Sequence, residues 1–96
     1  MVESRVRGIN PLVFDSMTYF VYIIENQYGA KYIGQTFNLE LRLERHNDGE
    51  VFSTKNKGPW KVIYREEFAT RGEAMKREKF LKKQKGGDSL KHIINN

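Results

Sequence analysis

The hydrophobic pattern of this chain becomes regular at Thr18. Residues 18–24, Thr-Tyr-Phe-Val-Tyr-Ile-Ile, are nearly all β-branched or aromatic, which reads as a strand buried on both faces. Residues 26–30 (Asn-Gln-Tyr-Gly-Ala) supply turn chemistry, with Gly29 free to take a positive φ. Residues 31–34 form a short second strand, so the two should pair as a hairpin. Asn38 suits an N-cap, and Leu39 and Leu43 fall on one side of a helix at i, i+4. That helix should end near His46-Asn47-Asp48-Gly49, with Gly49 in the left-handed region. Residues 50–58 read as a polar loop, and Pro59-Trp60 opens a third strand over 61–66. Thr70-Arg71-Gly72-Glu73 is a capping box that starts a helix running to about Lys85. Gly86-Gly87 breaks it, and Asp88 or Ser89 can cap a last helix over 90–94. The order β-β-α-β-α-α predicts an α+β fold, a small three-stranded antiparallel sheet flanked by helices. Residues 1–16 show no sustained period and read as an irregular N-terminal extension, leaving 17–96 as the domain.

Composition narrows the chemistry. A chain of 96 residues is one small domain, and 39% hydrophobic residues suffice for a compact core. With no cysteine there is neither a disulfide framework nor a thiolate metal site, and two histidines (His46 and His92) are too few for a multi-histidine cage. No apolar run approaches the roughly 20 residues of a membrane span. The N-terminus lacks the apolar stretch of a signal peptide. The expectation is a cytoplasmic domain without a membrane partner.

Charge is unevenly spread. Residues 1–54 hold five basic and seven acidic side chains, whereas residues 55–85 hold eleven basic and four acidic ones, a net of +7. A basic half with Trp60, Tyr64 and Phe80 interleaved is the footprint expected of a phosphate-rich partner. Lysine is also the ordinary filler of exposed helix positions. Charge alone leaves both readings open.

Some residues suggest chemistry. If the hairpin pairs closely, the hydroxyls of Tyr22 and Tyr32 emerge near one end of the sheet, although a strand tyrosine ordinarily packs its ring and wets its hydroxyl. Arg42 and His46 are i, i+4 neighbours and share a helix face suited to an anionic oxygen. On the second helix, Ala74, Glu78 and Leu81 fall in one stripe facing the sheet. A carboxylate there needs a partner: either Lys82, at i+4, or a divalent cation.

Taken in order, Val21-Tyr22-Ile23, Tyr32-Ile33-Gly34, Arg42 with His46 four residues on, and the Glu73–Lys79 stretch containing Glu78 resemble the GIY-YIG nuclease domain. Thr54 and Pro59-Trp60 resemble its small stand-alone branch, akin to the N-terminal nuclease domain of the bacterial excinuclease. Val21 stands where the family's name residue is Ile and Phe20 where it is Gly; Gln35 follows the second motif where the excinuclease domain has a lysine.

The resemblance implies a divalent-metal-dependent DNA endonuclease that hydrolyses one phosphodiester bond and recognises shape or single-stranded or branched structure. Glu78 would be the single protein ligand to Mg²⁺ or Mn²⁺, Arg42 would stabilise the phosphate, and Tyr22 would be the general base. Tyr32 and His46 would position water or phosphate. Lys55, Lys57, Lys61, Lys76, Arg77 and Lys82 would grip the DNA backbone, and Trp60 or Phe52 could stack on an unpaired base, although Trp60 reads first as a core residue that starts the third strand. A protein partner could supply targeting. The competing expectations are a non-catalytic nucleic-acid-binding module on the same scaffold, or a nuclease directed at RNA.

Overall fold

Strand β1 (Tyr19–Glu25) is the centre of the molecule. β2 (Lys31–Thr36) and β3 (Lys61–Phe68) flank it antiparallel, in the order β2-β1-β3. The computed structural model describes residues 18–84 and 88–95. The N-terminal extension expected over 1–16, Lys85 and the Gly86-Gly87 break lie outside the described residues.

The dense apolar run of β1 has the consequence expected of it: Val21, Tyr22, Ile23 and Ile24 are all buried. Odd positions meet one layer and even positions another. Val21, Ile23 and Ile33 pack with Ala74, Leu81 and Leu90 of helices α2 (Arg71–Lys83) and α3 (Asp88–Asn95). Tyr22 and Ile24 pack with Leu39 and Trp60, and with the half-buried Tyr32 and Leu43. Leu39 and Leu43 belong to helix α1 (Leu39–Asn47), so helices cover both faces of the sheet. The sequence-based α+β reading and the element order hold.

Local chemistry sets the element ends. Asn38 caps α1 by accepting from the Leu41 amide at 3.1 Å, and Thr70 caps α2 by accepting from the Glu73 amide at 3.2 Å. At the hairpin, Asn26 Oδ1 accepts from the amides of Tyr28 and Ala30, and Gly29 takes φ +84°. β2 and β3 run two residues beyond the sequence reading. Their polar ends pair in register with β1, Gln35 with Val21 and Glu67 with Phe20; the partner strand, not local hydrophobicity, extends them. A bulge at Ile23/Ile24 leaves Ile23 opposite Tyr64 and Ile24 opposite Val62. Both Ile63 and Tyr64 thereby join the α2 face. The stretch read as a plain loop contains a 3₁₀ turn, Phe52–Thr54.

Candidate functional site

The even face of β1 is where the chemistry-bearing residues meet. Tyr22 lies opposite Gly34 of β2. A Cβ on Gly34 would come within 2.6 Å of the Tyr22 hydroxyl and 2.8 Å of Cζ. Glycine there lets the ring lie across the neighbouring strand and reach toward α1. From α1, Arg42 and His46 point back one turn apart. Arg42 Nε donates to Tyr22 Oη at 3.3 Å, and Tyr22 Oη lies 2.8 Å from His46 Nε2. His46 Nδ1 in turn lies 2.8 Å from Thr54 Oγ1, which donates to the Val51 carbonyl at 3.4 Å. The direction of the hydrogen-bond chain follows from its ends. Because Arg42 can only donate, the Tyr22 hydroxyl donates its hydrogen bond to Nε2; because Thr54 spends its proton on Val51, Nδ1 carries the single ring N–H and donates to Thr54 Oγ1. Tyr32 packs against the same imidazole with ring centroids 4.8 Å apart.

Burial determines the protonation states. Desolvation pushes the Tyr22 phenol up to about 12, against the opposing hydrogen bond and charge of Arg42, with Glu78 the weakest of the named influences. The His46 imidazole is pushed down to about 4, first by burial and then by the charge of Arg42. The hydrogen bond to Tyr22 raises the Arg42 guanidinium. At neutral pH the set is therefore a protonated phenol, a neutral imidazole and a fixed cation. Every named hydrogen has an acceptor.

Two asparagines hold this arrangement to the rest of the molecule. Asn47 accepts from the Trp60 amide at 2.6 Å and donates to its carbonyl at 3.2 Å, pairing with the backbone as a strand would. Asn26 donates to the Lys57 carbonyl at 3.0 Å. Trp60 is only 5% exposed and its indole N–H donates to the Thr54 carbonyl. It is a core residue, closed to base stacking, whereas Phe52 is 91% exposed.

The structure thus brings Tyr22, Tyr32, Arg42 and His46 together and leaves Glu78 at their margin, half-buried and paired with Lys82 at 3.2 Å. Of the expected backbone-gripping residues, Lys55, Lys57, Lys61 and Lys76 are exposed. Arg77 is held by Glu66 through three hydrogen bonds of 2.9–3.1 Å. The basic stretch is also divided in space, with Lys55 and Lys57 in the loop beside α1 and Lys76 on α2 across the sheet. Thr54, Asn26 and Asn47 were not among the candidate site residues, because their partners lie in other segments and no local pattern announces such bonds.

The metal-dependent endonuclease expected from the resemblance is corrected by these findings. Among the described residues, no group of three or more His, Cys, Asp or Glu side chains comes together to hold a metal ion. Glu78, the expected ligand to Mg²⁺ or Mn²⁺, is engaged by an ammonium group instead, so the residues do not fit that ion. A phenol pushed to about 12 is also a poor general base. A UPF0213 protein of Clostridium perfringens is 37% identical over 75 residues, 77% of this chain and 81% of that protein. One of Staphylococcus haemolyticus is 36% identical over 76 residues, covering 78% and 93%. The solution NMR structure of a UPF0213 protein from Bacillus halodurans superposes with a TM-score of 0.54 at 26% identity, covering 82% of this chain and 84% of that one. A family profile described as the GIY-YIG catalytic domain matches residues 18–91. The match and the structural likeness are consistent with association with nucleic acid. Among the described residues, no helix is long and apolar enough to cross a membrane.

Proposed function

Because this chain belongs to the GIY-YIG catalytic domain family, we propose that it uses the scaffold as a non-catalytic nucleic-acid-binding module, with DNA as its partner. The observation that carries this reading is the loop beside α1. It presents the 91% exposed ring of Phe52 within a few residues of the exposed Lys55 and Lys57. A ring that no core requires, flanked by ammonium groups, offers a stacking platform for an unpaired base and cations for its phosphates. The Tyr22–His46–Thr54 chain supports that loop from beneath, since Thr54 closes the 3₁₀ turn that begins at Phe52. Its role here is to hold the binding loop, and no bond-breaking step is assigned to it.

Fluorescence anisotropy with labelled single-stranded DNA, duplex DNA and RNA of one sequence tests this reading. Binding should weaken steeply with salt, and Phe52→Leu should cost single strands more than duplex. Lys55→Gln with Lys57→Gln should flatten the salt dependence by about 0.7 per lost contact on a single strand. Absence of binding at low salt, or strand cleavage by the purified protein, would overturn it.

A further inference from the structure

Helices α1 and α2 carry opposite charges on their outward sides. On α1, Leu39 and His46 are buried, whereas Glu40, Glu44 and the capping Asp48 are exposed. At i, i+4 and i+8 these three carboxylates form one acidic stripe. Leu41, 43% exposed, lies beside that stripe, and the neighbouring Arg45 is paired with Glu50 at 3.9 Å. On α2, Met75, Lys76, Lys79 and Lys83 are exposed and share one side of the helix by their three- and four-residue spacing. A recess of about 450 Å³ runs along this side, lined by Gly72, Met75, Lys76, Glu78, Lys79 and Lys82. Its one lining carboxylate, Glu78, is paired with Lys82 at 3.2 Å. Lysine stems and the 48% exposed Met75 thus give an apolar floor under a rim of ammonium groups. α1 packs on the Tyr22 face of the sheet and α2 on the Val21 face. The sheet separates the two stripes, so they cannot meet within one chain.

We propose that the α2 recess receives the α1 stripe of a second copy of this chain. Leu41 of one copy lies against Met75 and the lysine stems of the next, and Glu40 and Glu44 meet Lys76 and Lys79. Charge complementarity selects this occupant. The α1 carboxylates repel phosphate and call for a cationic surface, and the α2 recess is such a surface with an apolar floor. Because the two stripes lie on opposite faces of the sheet, the contact is heterologous. Each copy uses α1 toward one neighbour and α2 toward the other, so the chains add head to tail. Two short helix faces bury less than a standard interface, which makes the association weak and dependent on concentration. The contact involves neither the Phe52 loop nor a nucleic acid.

Sedimentation of the full chain without nucleic acid tests this separately from the module reading. The average mass should rise with protein concentration past two chains, and should fall when salt is raised from about 50 to about 300 mM. Lys76→Glu with Lys79→Glu should lower the association constant about tenfold, because two acidic stripes then face each other. Glu40→Lys with Glu44→Lys should do the same with two basic ones. All four positions are exposed, so both double variants should keep the wild-type circular dichroism. An equimolar mixture of the two should recover the wild-type association, a result that damage to either fold would not produce. A wild-type protein that sediments as one chain at every concentration overturns the proposal, and its recess then serves some other acidic partner. Association that stops at two chains, survives either double variant or is not recovered in the mixture overturns it as well.

Discussion

The two faces of the central strand are held by different physics. On the α2 side, Val21, Ile23 and Ile33 meet Ala74, Leu81 and Leu90, and little polar chemistry intrudes beyond the Glu66 carboxylate, which accepts from Tyr64 and pairs with Arg77 at the rim. On the α1 side, the largest buried residue of the strand is a tyrosine whose hydroxyl belongs to a four-member hydrogen-bond chain. The apolar face draws its stability from area and packing, which are non-directional. The polar face gains little net free energy from each bond, but leaving one unmade is expensive. One face therefore anchors the fold, and the other fixes the positions of particular atoms. The candidate binding residues gather around the second.

The largest expected effect lies on the anchoring face. Leu81 is fully buried between α2 and the sheet. Leu81→Ala should cost about 3 kcal/mol through lost transfer energy and the cavity left behind. It should lower the urea midpoint without changing the slope of unfolding free energy against urea, and leave the Tyr22–His46 chain intact. A cost under about 1 kcal/mol would mean that α2 does not anchor the fold.

This division explains what could be read from the chain beforehand. The apolar face was legible because period and burial are local signals: the run through Ile24, the Ala74 and Leu81 stripe and the Thr70 cap each speak for themselves. On the polar face, the i, i+4 spacing put Arg42 and His46 together, and the motif order placed Tyr22 and Tyr32 near them. What stayed hidden was whether the site closes on itself. The bond from His46 to Thr54, the Asn47 pairing with Trp60 and the choice of Glu78 between Lys82 and a metal all depend on side chains from separate segments meeting in space. Sequence spacing allowed either fate for Glu78; the ion pair with Lys82 shows which one the structure adopts.

The second effect is a pH dependence confined to the polar face. The folded-state pKa of His46, about 4, lies below the ordinary histidine value of 6.5. The unfolded chain therefore takes up a proton first as pH falls. Stability is unaffected by this group above pH 6.5, and is lost progressively as pH falls from 6.5 to about 4. His46→Gln should be less stable than wild type at pH 7, and the gap should close as the pH is lowered toward 4. Parallel stability curves for the two proteins over this range would show that His46 is not held neutral by burial.

The smallest of the three effects separates ring from hydroxyl at Tyr22. Tyr22→Phe keeps the buried ring, its packing on Ile24 and Leu39, and the edge contact with His46. Only the O–H is lost. His46 is 1% exposed, so its Nε2 is left without a donor, whereas the half-buried Arg42 can turn its Nε to water. One orphaned buried acceptor costs about 1–2 kcal/mol, less than the cavity in Leu81→Ala. The oxygen-free ring should also free the Arg42 guanidinium to move, broadening its side-chain resonance in NMR spectra while the backbone fold persists. A stability loss exceeding that of Leu81→Ala would place the anchor on the polar face and reverse the comparison. A loss below about 0.5 kcal/mol, with Arg42 still ordered, would mean that the phenol does not fix the guanidinium, and that the orientation of Arg42 comes from α1 alone.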